Sequence, residues 1–406
     1  MPNPFHPAPG ALPTQISGRE GELAAIREAV RRARAREAPT PLVIVGQRGM
    51  GKTVLLRSLR DLAGSHALAI PIETLPKHSL ASRLREKLDD TLASVEPLPE
   101  RAAAALRKAL ELLPKFSYEL PNDGGAIALG APSELEPHPD IDRRSLVAML
   151  AALHRAARAA KRFLVLTIDE VQDADFDSIE TIATLVHESA QGESPILLAV
   201  AGLSETRDLI DKLRTYAQRW DLFDLRFLTL AETIESIREP IVQQGASIDE
   251  DALYLLATES GGYPYFIQAY ASAAWDAHRG KTISLDDVEK SLIDVKRRNE
   301  MSFYIRPLSK LTARETLFAL TLARLGPGVH AIGDVARALG TTAPAISSLR
   351  ASLVKKHIVS SPIPGQIEFR IPYTDRFILK HEEDYDNLDV RAARLAFERK
   401  SAQKES

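Results

Sequence analysis

The 406-residue chain contains no cysteine. That excludes disulfides, thiolate-ligated zinc, iron–sulfur clusters and cysteine nucleophiles in one step. It fits a reducing compartment. Long apolar runs are missing too. Nothing reaches the roughly 18–20 consecutive apolar residues that a membrane-spanning helix needs, so no membrane partner is expected. The proline-rich start, Met1–Pro13, carries no apolar run and is no secretory signal. Residues 1–15 read as a disordered leader, and the chain as cytoplasmic. The 10 histidines form no H-x-x-x-H pair, and no G-x-S-x-G occurs. Excess charge of either sign is also absent: 52 Lys+Arg against 55 Asp+Glu give a net charge of −3. Any surface for nucleic acid must therefore be local.

What is present has the balance of a globular protein, with 45% hydrophobic and 26% charged residues. The length favours two or three domains. Arg19–Arg36 spaces Leu23, Ile26 and Val30 as one helical stripe and has a very basic far end. Leu42–Val45 is a short β-branched run ending in glycine, the pattern of a buried parallel strand. Helices are expected at 51–62, 79–92, 143–160, 178–190 and 205–213, and strands at 66–72, 162–168, 195–200 and 225–230. This alternation predicts an α/β parallel sheet covered on both faces. Residues 96–142 break the rhythm with prolines and a Gly-Gly pair, and read as an insertion holding a helix at 101–113 and a hairpin near 116–129. After Leu230 the strands stop and four helices follow, the last starting at a Ser284/Asp287 cap.

Gly46-Gln47-Arg48-Gly49-Met50-Gly51-Lys52-Thr53 matches G-x-x-x-x-G-K-[ST] throughout. Glycines let the backbone N–H groups turn inward toward phosphates, and the next helix adds the positive end of its dipole. Lys52 would reach the β/γ-phosphates of ATP, and the Thr53 hydroxyl would ligate Mg²⁺. Phe163–Ile168 delivers Asp169 and Glu170 at a strand end. Asp169 is expected to hold Mg²⁺, and Glu170 to orient or deprotonate the attacking water.

On these motifs the chain resembles AAA+ ATPases of the replication-initiator (origin-recognition) group and the related STAND and transposition-helper ATPases. The resemblance spans about Ile16 to Leu379. It implies a base domain at 16–230, a helical lid at 231–300, a winged-helix domain at 301–387 and a charged tail at 388–406. It also implies that Ile16 and Arg19, in Ile16-Ser17-Gly18-Arg19-Glu20, border the adenine. Ser204 would stand in for the polar γ-phosphate sensor, and Arg219 or Arg214 would be the arginine finger. Gly261-Gly262-Tyr263-Pro264 lacks the lid arginine of many AAA+ proteins and is similar to the G-x-P motif of STAND switches. Pro264 then marks a lid helix, and slow hydrolysis is implied.

From Leu311 the order helix, helix–turn–helix, hairpin is that of a winged helix. Ile346, Leu349 and Leu353 face inward, leaving Thr342, Ser347, Ser348, Arg350 and Lys355 for the major groove. Residues 311–380 hold nine Lys/Arg against four Asp/Glu, a local charge of +5. Two functions stand ahead of a third, a nucleotide-binding pseudoenzyme, against which Glu170 argues. One is a DNA-associated ATP/ADP switch contacting double-stranded DNA, with self-association supplying Arg219 in trans. The other is a regulator that binds a protein partner.

Overall fold

The computed structural model describes residues 2–8, 10–76, 78–94, 104, 139–191, 195–213, 217–361 and 363–405. The helix expected at 101–113, apart from residue 104, the hairpin expected near 116–129, and Arg214 lie outside them. Helix α1 (Glu20–Arg34) leads into β1 (Leu42–Val45), α2 (Lys52–Ala63), β2 (Ala67–Glu73) and α3 (Leu80–Ser94). Then come α4 (Pro139–Ala159), β3 (Phe163–Asp169), α5 (Phe176–Ser189), β4 (Ile196–Gly202), α6 (Thr206–Asp211) and β5 (Asp221–Asp224). The five strands form one parallel sheet in the order β2-β3-β4-β1-β5. Strand alternation sorts its side chains between two cores. Leu42, Ile44, Leu197 and Ala199 join one cluster, and Val43, Val45, Leu198 and Val200 the other.

The last strand departs from the expected 225–230. It occupies Asp221–Asp224, and Leu230 already belongs to α7 (Leu230–Gln243). Thr229 and Glu232 form a capping box there, so the chain must leave the sheet before it. Leu225 and Leu228 are buried all the same, and supplied the misleading apolar signal.

The helical region continues with β6 (Ser247–Ile248), α8 (Glu250–Ser260), α9 (Pro264–Ala277), β7 (Thr282–Ile283) and α10 (Leu285–Asn299). Ser284 and Asp287 cap α10 reciprocally, as the spacing predicts. A π-turn at Glu300–Ile305 leads to the C-terminal module of α11 (Ala313–Arg324), β8 (His330–Ala331), α12 (Ile332–Ala338), α13 (Ser347–Lys355), β9 (Val359–Ser360) and β10 (Gln366–Phe369). Its antiparallel sheet has the order β8-β10-β9. Helices α14 (Thr374–Lys380), α15 (Glu382–Tyr385) and α16 (Leu388–Glu405) close the chain. The helix of the expected helix–turn–helix that carries Ile346, Leu349 and Leu353 is a 3-10 turn, Ala343–Ile346, followed by α13.

The leader is not disordered over its described residues. Phe5 is 2% exposed, and Asn3 donates to Ser272 Oγ (2.9 Å) and Asp276 Oδ1 (2.9 Å) on α9. The His6 amide donates to Gln268 Oε1 at 3.0 Å. One buried ring and a few distant bonds hold the segment, and neither has a local periodic signature. The tail is also seated, with Val390 and Phe397 buried and Arg314 lying 4.8 Å above the Phe397 ring. Among the described residues no helix is long and apolar enough to cross a membrane.

Candidate nucleotide-binding site

The loop between β1 and α2 hangs from the sheet at both sides. Gly46 N donates to Gly202 O (3.2 Å), and Leu225 N to Val45 O (2.8 Å). Gly49 (φ +73°) and Gly51 (φ +92°) take left-handed conformations that other residues resist. Lys52 follows directly at the start of α2 and is 5% exposed. Its Nζ donates to Gly46 O and Gln47 O, both at 2.9 Å. Burial pushes its pKa down, against the pull of Glu170 and Asp169. The ammonium thus lies folded against its own loop, close to two carboxylates.

The Thr53 hydroxyl donates to Asp169 Oδ2 at 2.6 Å, so β3 and α2 meet at this pair. Burial raises the Asp169 pKa, and the Thr53 bond opposes that rise. A hydroxyl and a carboxylate are hard oxygen donors, the type that suits Mg²⁺. Glu170 has φ +53°, a strained value for a residue with a side chain. Thr74 donates to its carbonyl, and Gln172 Nε2 donates to its Oε2 at 2.7 Å. Gln172 Oε1 also accepts from Leu203 N (3.0 Å), which ties the carboxylate to the end of β4.

A cavity of about 500 Å³ opens above this pair, lined by Arg48–Leu55, Glu170, Ile16, Arg19 and Pro264. His6–Ala8, Gly10, Ala11 and Pro13 of the leader wall its outer side. The Arg19 guanidinium donates to Arg226 O (2.7 Å) and Gly18 O (3.2 Å), so it braces the segment against the loop. Pro264 opens α9, as its ring geometry favours. Tyr263 before it is 1% exposed and donates to Arg48 O at 2.9 Å. A Cβ on Gly49 would lie 2.1 Å from that hydroxyl, so this glycine also permits a close approach.

Several predicted residues lie outside this cavity, Gly46 and Gln47 among them, which line a neighbouring cleft. Ser204 does not line the cavity and donates to Glu368 Oε1 of β10 (3.2 Å). Arg219 is exposed at the start of β5, while the phosphate loop follows the end of β1, so within the chain it does not reach the site. Of the expected groove-facing residues, Thr342, Ser347, Ser348 and Lys355 are exposed. Arg350 instead donates to Ser361 Oγ at 2.6 Å.

Sequence reasoning missed the C-terminal module's reach into this region. Gln47 Nε2 donates to Glu368 Oε2 (3.3 Å) and Phe369 O (3.4 Å). Ser360 Oγ also donates to Glu368 Oε1 (3.2 Å). Arg370 bonds the His357 ring and feels the charges of Glu205, Arg48 and Glu170; burial lowers its pKa. Tyr373 donates to Gly261 O.

Residues 15–199 match the family described as AAA ATPase domain. The chain carries an AAA ATPase domain. Residues 289–378 match a domain of unknown function, DUF8462. No protein with a curated description matches. Among solved structures, the Walker-type ATPase of Pyrococcus abyssi is similar at 13% identity and TM-score 0.55, covering 92% of this chain and 98% of that one. Cdc6p from Pyrobaculum aerophilum is similar at 17% identity and TM-score 0.46, covering 93% and 97%. The RuvB Holliday junction branch migration motor of Thermotoga maritima is similar at 17% identity and TM-score 0.45, covering 90% and 95%. The matched residues include the phosphate loop and the strands from β1 to the start of β4, and the family implies ATP binding. It leaves the C-terminal module's role open.

Proposed function

We propose that this AAA ATPase is a nucleotide-dependent switch whose C-terminal module is latched to the phosphate loop and released for DNA. One observation carries the reading: Gln47 of the loop and Ser204 at the end of β4 donate to the same carboxylate, Glu368 of β10. A change at the loop is thereby felt by the module. Moving a two-state equilibrium from 1:99 to 99:1 needs about 5.5 kcal/mol. The two hydrogen bonds that cross to this carboxylate are worth roughly 3–6 kcal/mol, which brackets that requirement.

In this reading ATP and Mg²⁺ occupy the cavity. Lys52 leaves its loop carbonyls for the phosphates, Thr53 and Asp169 hold the cation, and Arg48–Gly51, the part of the loop that lines the cavity, cradle the phosphates with backbone N–H groups. The cation supplies charge neutralisation at the phosphates. Glu170, held by Gln172, orients the water. Ile16, Arg19 and Pro264 frame the base. Arg219 acts only if a neighbouring copy presents it. Turnover is slow, because no lid arginine follows Gly262. Thr342, Ser347, Ser348 and Lys355 then meet duplex DNA. The base, lid and C-terminal domains divide at about residues 230 and 300.

The test is steady-state ATP hydrolysis with and without duplex DNA at two salt concentrations. Stimulation by DNA that fades with salt and is lost in Glu170→Gln is expected. Hydrolysis indifferent to DNA at low salt overturns the DNA arm. The engagement of Arg350 with Ser361 favours the alternative, a switch that releases the same module to a protein partner.

A further inference from the structure

We infer that Arg370, carried by the C-terminal module, is the group that reads the γ-phosphate of bound ATP. The pairing of β9 with β10 runs on through this residue, whose N donates to Ile358 O at 3.0 Å. Residues two apart along a strand share a face. Arg370 therefore projects to the side on which Glu368 accepts from Gln47 (3.3 Å) and Ser204 (3.2 Å), the side of the phosphate loop. It is 7% exposed. Its guanidinium interacts with Glu205, Arg48, Glu170 and Asp173, and the Lys52 ammonium feels its charge. Lys52 and Glu170 are the two groups that would flank the γ-phosphate. Arg370 stands just outside the cavity, beside Arg48 and Glu170, which line it. Its long side chain closes that gap onto the bound anion.

What holds the guanidinium does not satisfy it. One of its terminal nitrogens, Nη1, donates to the His357 ring, and an accepting imidazole cancels no charge. Its Nε is buried with no partner among the described residues. Glu205 is the largest charge it feels, yet Glu205 Oε2 is also buried and unpartnered there, so the two interact without bonding. Buried charges are normally paired, and a buried donor left unpaired is costly. A cation kept in that condition beside a phosphate loop suits an anion that arrives with the nucleotide. Glu170, Asp173 and Glu205 place three carboxylates on this side, and a γ-phosphate among them needs an opposing charge. Arg48 is exposed, where water screens it, whereas Arg370 acts from the interior at lower dielectric. ADP lacks the group that would reach it. The ATP state is then the one that holds the module, and loss of the γ-phosphate frees it.

The inference rests on the nucleotide site and the latch of the switch reading, and not on its DNA arm. The test is calorimetry on the full chain with Mg²⁺–ADP and with the Mg²⁺ complex of a non-hydrolysable ATP analogue. In Arg370→Gln the analogue should bind about tenfold to a hundredfold more weakly, the loss of one charge-assisted hydrogen bond, while ADP changes by about twofold or less. Arg370→Lys should recover part of the loss. Any other pattern, equal losses for both nucleotides included, overturns the assignment and leaves Arg370 as a counter-ion of Glu205. Should Arg370→Gln fail to fold, hydrogen exchange on the unsubstituted protein decides. Strands β9 and β10 should be better protected with the analogue than with ADP, and equal or reversed protection overturns the inference. Failure of the latch shows differently, as exchange at β9 and β10 that Glu368→Ala leaves unchanged. Hydrolysis indifferent to DNA removes the DNA arm and leaves both readouts standing.

Discussion

Glu368 is 7% exposed and accepts from Gln47, Ser204 and Ser360. Burial raises its pKa above the usual 4.5, and the three bonds work the other way. Glu368→Ala would strand those donors at a cost of about 1–3 kcal/mol for each one left unpaired in the interior. Hydrogen exchange at β9 and β10 should accelerate in that variant. His357 adds a pH dependence: burial, then Arg370, holds its pKa below the usual 6.5. The native state therefore favours neutral imidazole. Its contribution is present above pH 6.5 and is lost as pH falls from there toward the lowered value. Protection at β10, taken relative to the intrinsic exchange rate at each pH, should be lower at about pH 5.5 than at about pH 7.5, and His357→Gln should flatten the difference. Gly49→Ala would press a methyl group onto the Tyr263 hydroxyl at φ +73°. Calorimetry should find nucleotide binding lost. Lys52, Thr53, Asp169 and Glu170 were legible in the sequence because their chemistry fixes a local spacing. The contacts of Tyr263, Gln172 and Glu368 were not. Gln172 was masked by a short polar turn, and the others act through contacts made hundreds of residues away along the chain.

At the level of elements, local signals read well wherever a cap or a two-residue alternation set them. The alternating strands and helices stood nearly where periodicity placed them, since burying both sheet faces demands continuous apolar runs. The exceptions have local causes. Thr229–Glu232 opened a helix inside an apolar run, and Pro344 gave a 3-10 turn before α13. A third box, Thr312 with Glu315, opens α11. Glu315 is 3% exposed and also accepts from Ser352 and Lys356, both at 2.6 Å, so this cap anchors α13 as well as α11. Thr312→Ala should lower stability by about 1 kcal/mol, read from a urea transition.

Across the whole molecule, one apolar cluster runs from Phe5 through one face of the sheet and the helical region to Phe397. The other cluster stays beneath the opposite face, between Val43 and Ala217. Residues remote in sequence thus share one interior, and no reading of local pattern gives that. Phe5→Ala should cost about 3–5 kcal/mol, the range for emptying a buried aromatic site. It should also weaken nucleotide binding, since the leader walls the cavity. A calorimetric scan with and without ATP separates the two effects.

The strand order has a consequence for how the chain is made. β1 emerges early, yet its partners β4 and β5 lie about 150 and 175 residues further on. At a synthesis rate of about 5–20 residues per second, it waits roughly 9–35 s for both neighbours. During that interval Leu42–Val45 presents two unpaired edges, which invite pairing with other nascent chains. The bond from Leu225 N to Val45 O, at the base of the phosphate loop, forms only once β5 is complete.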